Sequence, residues 1–208
     1  HTATVSTESD AHPTPSLGKN ATNTPHTYHL VNTNTEIGKL IELLATQKAF
    51  CFDTETTGLD ANDCELVGLS FSIKMGEAWY VPMPADQQAC KTLVHAFKAL
   101  LEDATILKIG QNIKYDMLVL QWYGIQLQGP LFDTMLAHYL INPDGRHNMD
   151  LLAETFLGYT PISITSLIGA KGKKQGNMRD VELEKVKEYA AEDADITLQL
   201  KEIFEPML

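Results

Sequence analysis

The sequence has little with which to hold a polyanion. Sixteen Lys and Arg stand against 27 Asp and Glu, a formal charge of −11, and only two of the cations, Arg146 and Arg179, are arginines. That balance argues against non-specific attraction to nucleic acid or to an anionic membrane. It leaves room for an enzyme whose metal ions supply positive charge locally. Cysteine is scarce too: Cys51, Cys64 and Cys90 are odd in number and lack metal-ligand spacing. They point to reduced residues of a cytoplasmic protein rather than to a zinc site or a disulfide framework. No apolar run approaches the roughly 20 residues of a membrane span, and no signal peptide is evident. With nothing else pointing to secretion, the sequon Asn20-Ala21-Thr22 is expected to be accidental.

Large apolar side chains are nearly missing from residues 1–26, where Val5 and Leu17 stand alone among Thr, Ser, Pro, Asn, Ala and His. Such a segment cannot offset its own ordering entropy, so a disordered linker is expected there. The chain opens on His1 rather than Met, which suggests a piece of a longer polypeptide. Residues 27–208 are expected to form one domain, and 44% hydrophobic residues over the whole chain suffice for its core.

From His26 onward the patterning alternates between strand and helix. HTYHLVN reads as a strand, and Thr33-Asn34-Thr35-Glu36 as a capping box opening a helix through about Ala45. KAFCFDTET is a central strand. Residues 65–74 and 77–83 form a hairpin turning at Met75-Gly76. Residues 86–102 have helical spacing, TILKIG is a short buried strand, and a helix is expected from about Asn112 to Tyr123, stopping at Gly124. LFDT leads into a helix over MLAHYLI. A short helix over 149–157, the Gly/Lys loop 169–176 and a long helix from about Val181 to Phe204 complete the chain. A strand meander followed by strand–helix units implies an α/β domain with a mixed sheet.

Three stretches place acids where a core is expected. In FDTETTGLD (52–60), Asp53 and Glu55 lie on one face of a strand. Each raises the other's pKa unless solvent or a cation relieves them. A solvated strand end and a cation site both fit this pair. In GQNIKYDMLVL (110–120), Asn112 and Asp116 share a helix face. Asn112 as a helix cap and Asp116 as a solvated acid fit equally well. In YAAEDADITLQL (189–200), Asp193 falls on the inward stripe Tyr189, Ile196, Leu200 and Ile203. Glu192 lies off the stripe, and Asp195 lies roughly 200° from Asp193, on the outer side. A carboxylate on a buried stripe is costly unless paired or metal-bound, and no Lys or Arg shares the stripe.

Together these three stretches, in this order, resemble the 3′–5′ proofreading exonuclease domain of bacterial DNA polymerase I, in the DEDD exonuclease superfamily. FDTMLAHYLIN (132–142) and GRHNMDLLAE (145–154) match two intervening segments, and the likeness runs over about residues 27–208. It implies an RNase H-like fold. It further implies a 5′-nuclease domain before the linker, a polymerase domain after Leu208, and a fragment that is monomeric and membrane-free.

The resemblance also assigns roles. Asp53, Glu55, Asp116 and Asp193 would bind two Mg²⁺ ions, with Mn²⁺ able to substitute, and Tyr189 would place the chain in the tyrosine subclass. Asp53 would bridge the ions, Glu55 and Asp193 would complete the tighter site, and Asp116 would serve the second ion largely through water. All-oxygen ligands suit hard Mg²⁺ or Mn²⁺ better than Zn²⁺. Tyr189 and Glu55 would orient the attacking water. Contacts to a single-stranded DNA 3′ end would come from Thr54, Leu59, Gln111, Asn112, Tyr115 and Arg146, with Leu59 wedged against the terminal base. Ile164 stands where some relatives carry an aromatic residue. Lys171, Lys173 and Lys174 read first as a solvated loop, and His147 receives no role. The alternatives are an RNA-trimming exonuclease of the same superfamily and an inactive domain that only scaffolds or binds strands.

Overall fold

The computed structural model describes residues 18–172 and 174–208. Chain order runs β1 (Thr27–Leu30), α1 (Asn34–Ala45), β2 (Ala49–Thr56), β3 (Leu66–Lys74), β4 (Glu77–Pro82), α2 (Gln87–Val94), α3 (Lys98–Leu101), β5 (Leu107–Gly110), α4 (Lys114–Trp122), β6 (Leu131–Asp133), α5 (Thr134–Ile141), α6 (Met149–Leu152), α7 (Ile164–Ile168) and α8 (Leu183–Phe204). The strands form one mixed six-stranded sheet in the order β1-β4-β3-β2-β5-β6. β2, β3 and β4 are an antiparallel meander, while β5 joins β2 and β6 joins β5 in parallel. The β3–β4 hairpin turns at Gly76, whose φ of 75° a side chain would oppose.

Alternation along β2 divides the molecule into layers. Phe50 and Phe52 face a core shared with Leu40 and Leu44 of α1, Val94 of α2 and Leu120 of α4. Cys51 faces the other way, packing with Ile109 against Leu198 of α8. Asp53 and Glu55 continue that second face by the same period of two, so they point to the α8 side at the end of the strand. Thr33 and Glu36 make the expected reciprocal capping box at α1. All three cysteines are free thiols.

Several expectations are revised. The helical spacing over 86–102 is realised as α2 and α3 with a 3₁₀ turn, His95–Phe97, between them. That break lets Val94, Phe97, Leu100 and Leu101 all reach one core. α4 begins at Lys114 rather than Asn112 because Asn112 has a φ of 59°, outside the helical region. α7 is an element the sequence reading did not contain, although Ser163 supplies its N-cap. The linker expected over 1–26 lies outside the described residues for 1–17. Over 18–26 the chain is held to the domain: Lys19 N–H donates to Gly158 O at 3.1 Å, Thr160 N–H to Lys19 O at 2.8 Å, and His26 Nε2 lies 3.1 Å from Glu188.

The largest revision concerns α8, whose residues Ala190–Leu198 are all buried. The outer side assigned to Asp195 does not exist: this residue is only 3% exposed. Its carboxylate accepts from Tyr28 Oη, the Gly76 N–H and Gln199 Nε2, each at 2.9 Å, tying β1 and the hairpin turn to the helix. Glu192, also off the expected stripe, accepts from Tyr159 Oη at 2.5 Å and the Ile162 N–H at 2.6 Å. Asp195→Ala leaves buried donors without acceptors and should cost about 2–3 kcal/mol of stability. Melting curves test this, and a loss below about 0.5 kcal/mol would contradict the locking role.

Candidate active site

The ends of β2 and β5 and the middle of α8 bring the acids together. Asp53 and Glu55 project from β2, Asp193 from the facing turn of α8, and Asp116 from the first turn of α4. One carboxylate oxygen each from Asp53, Glu55 and Asp193 lies within 4.8 Å of the others. Glu55 and Asp193 are only 6% and 8% exposed. Glu55 Oε1 and Asp193 Oδ1 are buried with no hydrogen-bond partner. Among the described residues, no Lys, Arg or His forms an ion pair with any of the four acids.

Three crowded carboxylates, two of them with an orphaned oxygen, hold protons tightly. Burial first, then the charges of Asp116 and Asp193, push the Asp53 carboxyl well above its ordinary range. Burial and Asp53 do the same to Glu55, and burial, Glu55 and Glu192 to Asp193. A divalent cation relieves this repulsion and satisfies the orphaned oxygens at once. The donor set, all carboxylate oxygen, suits a hard ion. These residues fit a metal site.

Asp116 is the fourth acid but stands apart from that triangle. It is 2% exposed, and its Oδ1 accepts from both the Thr54 hydroxyl at 2.6 Å and the Thr54 N–H at 3.1 Å. Burial raises its pKa to about 7, against the lowering pull of Thr54. Thr54, expected to touch substrate, commits its hydroxyl to Asp116 in this arrangement. Tyr189 sits one helical turn before Asp193, and burial plus the charges of Asp193, Glu55 and Asp53 push its phenol far above the ordinary value. Ile164 packs in the same cluster as Tyr189.

The expected strand contacts divide into those that are free and those already engaged. Leu59 is 86% exposed and so takes no part in the core. Its loop is pinned by Tyr115, whose hydroxyl lies 2.6 Å from Gly58 O and 2.7 Å from Thr56 Oγ1. Tyr115 thus supports the loop through a hydroxyl that stacking would not use. The Gln111 amide donates to His147 O at 2.7 Å and accepts from the Thr134 hydroxyl. The N–H groups of Asn112 and Ile113 both donate to the Asp133 carboxylate at 3.0 Å, and the Asn112 side chain accepts from Lys114 Nζ. Arg146 is exposed, as are Lys171 and Lys174, and Lys173 lies outside the described residues. Sequence reasoning missed Asp133 as the support of this turn. Its N-cap position before MLAHYLI was the available signal.

A family model described as 3′–5′ exonuclease matches residues 28–208. The chain belongs to that family. Among curated relatives of this 3′–5′ exonuclease, DNA polymerase I of Pseudomonas aeruginosa is 41% identical over 169 residues, covering 77% of this chain and 18% of the relative. DNA polymerase I of Rhizobium leguminosarum is 40% identical over 181 residues, covering 76% and 18%. The chain thus spans less than a fifth of the length of those relatives. Solved structures similar to the exonuclease include NrnC of Brucella melitensis, with a TM-score of 0.65 at 22% identity over 88% of this chain and 81% of that one. RNase D of Trypanosoma brucei has a TM-score of 0.70 at 16% identity, over 86% and 65%. These likenesses establish the fold, the RNase H-like α/β architecture of DEDD exonucleases. No helix among the described residues is long and apolar enough to cross a membrane.

Proposed function

We propose that this chain is the proofreading exonuclease domain of a DNA polymerase I, removing 5′-mononucleotides from single-stranded or frayed DNA 3′ ends. The observation that carries the reading is the triangle of Asp53, Glu55 and Asp193, in which a buried oxygen of Glu55 and one of Asp193 lack partners. Its similarity to DNA polymerase I over most of the chain supports DNA as the substrate. A polymerase domain C-terminal to Leu208 and a 5′-nuclease domain N-terminal to the chain would complete the full-length protein.

Asp53, Glu55 and Asp193 would hold one Mg²⁺, and Asp53 with Asp116 a second. Together the ions would supply the Lewis acidity and activated water of an in-line phosphoryl displacement. The chain's own residues do the rest. Asp116 has Oδ1 held by Thr54, which would leave Oδ2 for an ion. The Tyr189 phenol, kept protonated by its surroundings, donates a hydrogen bond that orients the attacking water. Leu59 presses on the terminal base, and Arg146 holds a phosphate of the strand. Removing the Tyr189 hydroxyl deletes one hydrogen bond and no ligand. Tyr189→Phe should therefore lower kcat by about 10²-fold, the mild end for positioning effects of this kind. Single-turnover rates read this directly, and full inactivity with intact Mn²⁺ binding would give Tyr189 a larger role.

None of the proposed contacts reads base identity, and a wedge against the terminal base suits unpaired nucleotides. Opening a paired end costs a few kcal/mol, less at a mismatch, and each 1.4 kcal/mol is about tenfold. Initial rates should fall from single-stranded DNA to a mismatched 3′ end to a paired end, converging as temperature rises. Equal rates on paired and single-stranded ends would overturn selection by fraying. One neighbour of the fold, RNase D of Escherichia coli, is described as an exoribonuclease involved in structured RNA processing. A matched RNA oligonucleotide belongs in the same assay, and faster turnover on RNA would replace the DNA reading with RNA trimming.

A further inference from the structure

The segment that carries Arg146 is built onto the active-site turn through Gln111 and three residues to which no role has been given, Thr134, His138 and His147. Gly145 donates its N–H to Asn142 O at 3.1 Å. A Cβ at Gly145 would lie 2.9 Å from Asn142 Nδ2 and 3.2 Å from His138 Cε1, so the loop sits tightly on α5. On the other side of Arg146, His147 is held twice. Its carbonyl accepts from Gln111 Nε2 at 2.7 Å, and its Nδ1 lies 2.7 Å from Nδ1 of buried His138. A contact of that length requires one ring to donate and the other to accept. His138 is itself packed by Phe156 and Phe204, each with ring centroids 5.5 Å away. Gln111 is fixed at its other end by the hydroxyl of fully buried Thr134. The result is an exposed guanidinium on a short loop whose two flanking residues are immobilised, and both ends of the Gln111 amide take part in immobilising it.

We propose that Gln111 is a positioning residue rather than a strand contact. With Thr134, His138 and His147, it clamps the 145–147 loop so that Arg146 is presented to a phosphate of the bound strand. The inference rests on the proposed reading of Arg146 as a phosphate contact. Charge-assisted hydrogen bonds to phosphate lose most of their strength when geometry drifts. Releasing the loop should therefore weaken strand binding about as much as removing the arginine.

A double-mutant cycle tests this. Equilibrium binding of a fluorescent single-stranded oligonucleotide is measured in EDTA for Gln111→Leu, Arg146→Ala and the double variant, with kcat and KM measured separately in Mg²⁺. Leu at 111 leaves the Thr134 hydroxyl an acceptor in Gly110 O, 3.2 Å away. Each single variant should raise Kd about tenfold, with the loss in kcat/KM falling on KM more than on kcat, and the double should bind no more weakly than Arg146→Ala alone. A multiplicative, hundredfold loss in the double variant would make Gln111 an independent strand contact and overturn the proposal. An unchanged Kd in either single variant would overturn it as well. His147→Phe, which keeps the backbone carbonyl but removes the imidazole pair, repeats the cycle should Gln111→Leu lower the melting temperature. Wild-type binding without hydrolysis would remove the exonuclease reading and leave the clamp intact. Absence of wild-type binding would remove both.

Discussion

Asp53→Ala is expected to reduce mononucleotide release by roughly 10³-fold or more while leaving the metal-free fold at least as stable as wild type. The two halves of this expectation have one cause. Asp53 is the acid placed to reach both ions, so its loss removes transition-state charge stabilisation worth several kcal/mol, with each 1.36 kcal/mol a factor of ten in rate. Without metal, the same carboxylate stands among Glu55, Asp116 and Asp193 and raises the cost of ionising them. Deleting it relieves repulsion, so the apo variant should melt at the same temperature or higher, against the usual direction for a substitution at a partly buried site. Paired measurements decide the matter: single-turnover rates in Mg²⁺ and melting curves in EDTA. Near-normal activity would remove the metal assignment. A large fall in apo stability would show that Asp53 is a structural acceptor rather than a functional acid.

That outcome bears on what the sequence could disclose. The placement of Asp53 and Glu55 was legible because a strand has a period of two and the apolar residues Phe50 and Phe52 mark the opposite face. Asp193 was legible for a similar reason, as the acid on an apolar helical stripe. Asp195 was misplaced because the stripe argument assumes a helix with one dry side and one wet side. α8 is instead enclosed by the sheet, by Tyr28 and the hairpin turn, and by Tyr159. Its buried acids are then sorted by partners that lie far away in the chain. The start of α4 was misjudged on similar grounds. Asn112 reads as a cap, but the Asp133 carboxylate, supplied by another strand end, takes the turn's N–H groups and leaves Asn112 in the left-handed region. The short α7 escaped because a single Ser163 cap over five residues is a weak periodic signal. The strand contacts carried over from the family resemblance came without the hydrogen-bond partners that the folded chain gives them. Sequence can place Gln111, Thr54 and Tyr115 beside the acids, but only the folded chain shows where their polar atoms are already committed.

The metal-free protein should lose stability as pH rises, and divalent metal should restore it. In the unfolded chain the four acids ionise near pH 4. In the folded chain Asp116 keeps its proton to about pH 7, and Asp53, Glu55 and Asp193 hold theirs well above the ordinary range. Below pH 4 both states are protonated and the acids contribute nothing. Between pH 4 and 7 the unfolded state releases protons that the folded state retains, so folding becomes progressively less favourable. Asp116 alone, raised from 3.8 to about 7, corresponds to about 4 kcal/mol lost by the upper end of that window. Exposed acids with lowered pKa values, such as Glu36 and Asp103, act in the opposite sense but only below about pH 5. A cation bound to the folded state alone offsets the loss, by about 2.7 kcal/mol at a hundredfold excess over its Kd. Melting temperatures taken from pH 5 to pH 8 in EDTA should therefore fall. The fall should shrink in Asp53→Asn, and Mn²⁺ should raise the pH 8 value far more than the pH 5 value, because protonated carboxyls are poor ligands. A flat profile in EDTA would mean that the cluster shares its charge with solvent after all. A metal effect equal at both pH values would place the bound ion away from these carboxylates.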